Sequence, residues 1–237
     1  MAKNRILVTH VGSLARPKAL LDGVAAILKG DAVDEGKFDR CLTESVTDVV
    51  VAQKRAGVDI VSDGEFGKFR GWAAYSLSRL DGFDERDFEF STGAGKDQQR
   101  FPEFYAEYFP TQNLTRRGAL TCVRPIKYKG QAALRRDIDN LKAGVAKAGG
   151  VAGFLPVVAP ASAMPRYRNE FYKSEEEFFF ALADALREEY VAILDAGLLL
   201  QVDDAFLPYM WDVAFADQPL ENYKKLAALR VDALNHA

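Results

Sequence analysis

Apolar positions in this chain switch between two periods. From Asp34 to about Arg55, Phe38, Leu42, Val46, Val49 and Val50 recur every three or four residues. That spacing predicts a helix with one buried stripe, which Asp34 is placed to cap. Ala56-Gly57 then ends it, because glycine accepts the left-handed conformation that terminates helices, and an apolar strand follows over 58–62. The arrangement returns late in the chain. Ser174, with Glu177 three residues on, forms a capping box. Phe179, Leu182, Leu186, Tyr190 and Ile193 make that helix's inward face, Ala196-Gly197 stops it, and 198–202 is again an apolar strand. Short apolar runs of this kind predict parallel strands covered on both faces. Each runs into acids: Asp63 and Glu65 in the first copy, Asp203 and Asp204 in the second. Acids at the C-terminal ends of strands stand where α/β proteins place their ligands.

The rest of the pattern fills in around these copies. Residues 5–12 predict a first strand, 120–128 a third and 153–158 a fourth, with a helix over 132–148 that ends at Gly149-Gly150. Pro219 opens a last helix with Leu220, Tyr223, Ala227 and Leu234 on one face. Residues 66–118 hold Phe66, Phe69, Trp72 and Tyr75, a polar stretch, then Phe101, Phe104, Tyr105, Tyr108 and Phe109. That length exceeds an ordinary connection and predicts an insertion over a barrel mouth, or a solvent-facing excursion with its own aromatic core. Five strands alternating with helices imply a parallel sheet. The turn after the first strand, Val11-Gly12-Ser13-Leu14-Ala15-Arg16-Pro17, is no phosphate-binding loop. The expected fold is therefore α/β, of (β/α)8 TIM-barrel type, truncated after about five or six β/α units within one domain spanning 1–237. Open sheet edges in such a fragment favour self-association into a homo-oligomer.

Composition narrows the partners. A net charge of -3 carries no nucleic-acid footprint, and no apolar run is long enough to span a membrane. The N-terminus lacks signal-peptide features, and two distant cysteines, Cys41 and Cys122, fit reduced thiols in a cytoplasmic protein.

Three stretches carry a resemblance: Thr9 to Pro17 (THVGSLARP), Asp59 to Glu65 (DIVSDGE) and Leu200 to Asp204 (LQVDD). In order and spacing they resemble the C-terminal catalytic barrel of cobalamin-independent methionine synthase and its stand-alone thiol methyl- and alkyltransferase relatives. Tyr75 to Phe83 (YSLSRLDGF) is similar to a stretch of the stand-alone members. The resemblance implies a cytoplasmic methyltransferase of methionine biosynthesis that moves a methyl or alkyl group from a small-molecule donor to a small thiol such as homocysteine. It also implies a bound zinc that turns the thiol into a thiolate; a free thiol, with a pKa of about 8.5, is mostly protonated at neutral pH. The family's zinc ligands are a His-x-Cys pair, a Glu and a late Cys. None is identifiable here, and the chain is expected to lack the C-terminal part of the barrel, so no metal ligand is assigned.

The amino-acid half of the family's site carries over. The resemblance gives the backbone of Val11, Gly12 and Ser13 to the substrate carboxylate, and Glu65 and Asp203 to its amino group. Asp204 stands where the family has Glu, and Glu65, Asp203 and Asp204 form the expected catalytic set. His10 and Arg16 join Val11, Gly12, Ser13, Glu65 and Asp203 as substrate-binding candidates, with Arg70 as a further cation. The bland alternatives are helix caps and local backbone bonds for the acids, a structural hydrogen bond for His10 and a cap for Ser13. No Trp stands near 159–162, where the family stacks its folate. The rival readings are a uroporphyrinogen-decarboxylase-like lyase, and an incomplete, inactive barrel.

Overall fold

The computed structural model describes residues 5–69, 72–86, 95–111, 119–163, 167–213, 215 and 217–237. In chain order the elements are α1 (Lys18–Lys29), α2 (Glu35–Arg55), β1 (Ile60–Ser62), α3 (Trp72–Ser78), β2 (Leu80–Arg86), α4 (Lys96–Arg100), α5 (Pro102–Thr111) and β3 (Ala119–Tyr128). They continue with α6 (Gln131–Lys147), β4 (Ala152–Val158), α7 (Pro160–Ala163), β5 (Tyr167–Asn169), α8 (Glu175–Asp195), β6 (Leu199–Asp203), α9 (Phe206–Val213) and α10 (Leu220–His236). The chain divides into two compact units, residues 1–75, 130–157 and 188–202, and residues 76–129, 158–187 and 203–237.

The first unit is built on a three-stranded sheet ordered β1-β4-β6. β1 runs parallel to β4, with Ser62 level with Phe154. α2 forms where its stripe predicts: the Asp34 carboxylate accepts the Lys37 N–H at 2.9 Å, and Phe38, Leu42, Val46 and Val50 are buried. Gln53 on the same face is buried too. Its side chain donates to the Ser62 carbonyl at 2.8 Å and accepts the Ser62 N–H at 3.0 Å, so this helix fixes the end of β1. α6 packs along α2 with Leu134, Ile138 and Leu141 buried.

The second unit holds the sheet ordered β2-β3-β5. β2 pairs with β3 antiparallel, and β3 with β5 parallel. The register slips between Asp81 and Phe83, at Gly82, where φ is 106° and an added Cβ would meet the Arg124 and Pro125 carbonyls at 3.0 Å. Phe178 and Phe179 at the start of α8 are fully buried, and Phe83 meets Phe178 edge-on at 6.5 Å. Ser174 caps α8 by accepting the Glu177 N–H at 3.1 Å, while the Glu177 carboxylate takes the Lys173 N–H.

Four expectations need correction. Residues 5–12 make no regular strand: they run beside β1 through one bridge, Thr9 to Ile60, with Ile6 91% exposed. An apolar run this exposed gains little by extending a ladder. The all-parallel sheet gives way to two sheets, because residues 80–86 form a strand, β2, whose polar sequence (LDGFDER) hides its period. β6 is not covered on both faces, since Leu199 and Val202 are exposed at the sheet edge. α10 buries Arg230 and Ala233 and leaves Leu220 exposed. Among the described residues the six strands close no barrel.

Candidate substrate site

In the first unit the site is the loop that leaves β1. Asp63, 2% exposed, accepts the Glu65 N–H through Oδ1 at 2.9 Å. Glu65 sits at φ 58°, the sole non-glycine with positive φ among the described residues. Its carbonyl accepts Arg16 Nη2 at 2.5 Å and the Lys68 N–H at 3.0 Å. Its carboxylate accepts the Ser13 hydroxyl at 2.6 Å. The Leu14 N–H donates to the Gly64 carbonyl at 3.1 Å, so the segment after Gly12 is stitched to this loop along its length. A left-handed conformation in a residue with a Cβ costs roughly 1–2 kcal/mol, and it persists here because every backbone polar atom of Glu65 is held.

Behind the loop lies a buried charged group. Lys68 donates to the Pro156 carbonyl on β4 at 2.6 Å, and its ammonium stands 5.1 Å from the centre of the Tyr75 ring. Tyr75 donates its hydroxyl to Asp137 Oδ2 at 3.0 Å. Asp137 presses against Gly67, where an added Cβ would meet Oδ1 at 2.8 Å. Burial pushes the Asp63 carboxyl above the ordinary carboxylate range; Lys68 opposes this, and Asp137 and Glu65 add to it.

In the second unit Asp203 ends β6, and its carbonyl accepts the Ala159 N–H at 2.9 Å, which brings together the C-terminal ends of β4 and β6. Asp204 Oδ1 accepts the hydroxyl of fully buried Ser162 at 2.7 Å, and Ser162 Oγ in turn accepts the Phe206 N–H at 2.9 Å. Burial raises the Asp204 carboxyl; the Ser162 bond and Arg230 oppose it, and Asp203 adds to it. Arg230 is buried, with its guanidinium 4.3 Å from the centre of the Phe179 ring.

The structure brings Ser13, Arg16 and Glu65 together. Arg16 spends its guanidinium on the carbonyls of Glu65 and Lys68, which gives it a loop-pinning role. His10 is half-buried and its Nε2 is buried without a hydrogen-bond partner. Val11 is exposed, and Gly12 turns at φ 89°. Arg70 lies outside the described residues. Sequence reasoning missed Lys68, Asp137, Gln53 and Ser162. Asp137 had a signal, since it interrupts the apolar stripe 134, 138, 141 of α6 on its own buried face. Among the described residues no three His, Cys, Asp or Glu side chains stand together as a metal-ligand group, so the donors present do not fit the family's zinc. Cys41 and Cys122 are free thiols. Burial raises the Cys122 thiol, whose Sγ donates to the Arg124 carbonyl at 3.4 Å.

No protein-family model matches the sequence. The chain is 25% identical over 223 residues to an uncharacterized Bacillus subtilis protein, YxjH, covering 92% of this chain and 52% of that protein. It is 26% identical over 212 residues to the 5-methyltetrahydropteroyltriglutamate–homocysteine methyltransferase of Rhodococcus jostii, covering 89% of this chain and 25% of that enzyme. The chain thus spans about half the length of one curated relative and a quarter of the other. In fold it is similar to a Listeria monocytogenes chain named as a vitamin-B12-independent methionine synthase, with TM-score 0.66, 21% identity, and 98% of this chain and 62% of that chain covered. It is also similar to the B12-independent methionine synthase of a Shewanella species solved with selenomethionine, with TM-score 0.57, 18% identity, and 86% and 54% covered. No described helix is long and apolar enough to cross a membrane. In fold, and at partial length in sequence, the chain resembles the cobalamin-independent methionine synthases.

Proposed function

We propose that this chain binds a small amino-acid thiol of the homocysteine type and takes part in transferring a methyl or alkyl group to its sulfur, in the cytoplasm. The observation that carries the reading is Glu65: a carboxylate at a strand end, kept in a strained backbone conformation and aligned by Ser13. A substrate ammonium there would gain a charge-assisted bond of roughly 1.5–3 kcal/mol. The backbone of Val11, Gly12 and Ser13 is proposed to take the substrate carboxylate. His10, with a buried orphan nitrogen, would be satisfied by a ligand group. From the resemblance alone, Asp203 is proposed as a second acid for the amino group, with Asp204 beside it. The resemblance likewise supports a fold of (β/α)8-barrel type.

In the transfer, a sulfur–carbon bond forms while the donor keeps the electron pair of its broken bond to the alkyl carbon. The family's zinc would supply the thiolate. No step is routed through it here, because the described donors form no ligand set. The test supplies L-homocysteine with, in turn, a methylated pterin and a methylsulfonium donor, and follows methionine. Formation in proportion to the chain, lost in Glu65→Gln, is expected. No methionine from either donor would contradict transfer by this chain.

A further inference from the structure

The loop leaving β1 contains an acid that the substrate-binding set leaves unassigned. Asp63 is buried, yet its Oδ1 is turned onto the backbone N–H of Glu65, two residues on, at 2.9 Å. That bond closes a turn around Gly64 and fixes Glu65 where its φ is 58°. A residue with a side chain leaves this conformation readily unless its neighbours hold it. The other bonds on the Glu65 backbone are to its carbonyl, from Arg16 and from the Lys68 N–H. Asp63 thus supplies the acceptor for its amide. The charged groups facing Asp63 are Lys68 and Glu65 from its own loop and Asp137 from α6. Lys68 is held in turn by the Pro156 carbonyl and the Tyr75 ring.

We propose that Asp63 is a positioning residue: from its buried place it accepts the Glu65 N–H and so holds the Glu65 carboxylate against Ser13, aimed for a substrate ammonium. This rests on Glu65 being the ammonium acceptor. The chemistry required of Asp63 is an acceptor oxygen at the right distance, which an asparagine also offers. An alanine offers none, and frees the Glu65 backbone to relax toward negative φ with its carboxylate displaced.

The experiment is calorimetric titration of L-homocysteine into the full chain and its Asp63→Asn, Asp63→Ala and Glu65→Gln variants, with near-ultraviolet circular dichroism as the check on folding. Asp63→Ala is expected to bind at least tenfold more weakly, Asp63→Asn within fivefold of the native chain. In the Asp63→Ala/Glu65→Gln pair, the Ala change should add less than threefold to the loss in Glu65→Gln, since the carboxylate it positions is gone. A folded Asp63→Ala chain binding within fivefold of native overturns the inference. So does a double variant in which the two losses multiply. Should Asp63→Ala fail to fold, Asp63→Asn decides: binding within fivefold, with slow exchange of the Glu65 amide retained, supports the acceptor role, and a greater loss or a fast-exchanging amide overturns it. Unaltered binding by Glu65→Gln is a separate outcome that removes the functional reading itself.

Discussion

Glu65 allows a test in which the side-chain contacts cancel. Glu65→Ala and Glu65→Gly both remove the carboxylate and its bond from Ser13, so they differ only in whether a Cβ sits on a backbone at φ 58°. The left-handed conformation costs a Cβ-bearing residue roughly 1–2 kcal/mol. Glycine escapes this but carries about 0.5–1 kcal/mol more chain entropy to be lost on folding. The difference leaves Glu65→Gly more stable than Glu65→Ala by about 0.7 kcal/mol, in a range of about 0–1.5. Urea unfolding followed by circular dichroism measures this as a higher midpoint for the glycine variant at unchanged slope. An alanine variant more stable than the glycine variant would show that Glu65 is not held in the left-handed region. The account of the loop as a strained, over-determined turn would then fail.

Gly67→Ala should destabilise the chain by about 1–3 kcal/mol, because the new Cβ would stand 2.8 Å from Asp137 Oδ1; an unchanged unfolding midpoint would refute the contact. Burial raises the Asp204 carboxyl, so the folded state holds that proton more tightly than the unfolded state does. Its stabilising contribution is present below the ordinary aspartate value of about 3.9 and is lost as pH rises through the higher folded value. Asp204→Asn should therefore gain stability relative to the native chain as pH is raised from about 3 to 7, and parallel stability profiles would contradict this. With no ligand group among the described residues, the dialysed chain is expected to retain no stoichiometric zinc, and one zinc per chain by elemental analysis would overturn that expectation. Leu199 and Val202 exposed at a sheet edge favour self-association, which light scattering checks against the 26.2 kDa monomer.

What was legible in the sequence followed burial. α2 and α8 announce themselves because their stripes face a core on one side only, and their caps, Asp34 and Ser174, act where the capping signals place them. β3 was legible as a strand-like stretch ahead of Gly130, and β4 as an apolar run after Gly149-Gly150. α1 was missed although Leu20 and Val24 are buried, because Leu21, Ile27 and Leu28 are exposed and blur its stripe. β2 was missed because its pairing with β3 relies on backbone and on one close approach at Gly82 rather than on an alternating apolar face. At the site, Ser13 and Glu65 were named by motif, and they meet. The groups behind them are set by tertiary packing: Lys68 reaches Pro156, 88 residues away, and Tyr75 reaches Asp137, 62 residues away, with no local spacing to betray either pair.

The central claim is that Glu65 recognises the amino group of a small thiol. Its most direct test compares L-homocysteine with 4-mercaptobutyrate, the same thiol acid without the amino group, by calorimetry on the native chain and Glu65→Gln. The native chain is expected to prefer homocysteine by at least tenfold, as one charge-assisted bond of roughly 1.5–3 kcal/mol requires, and this preference should collapse in Glu65→Gln. Equal binding of the two thiols by the native chain, or a preference that survives the substitution, would contradict it.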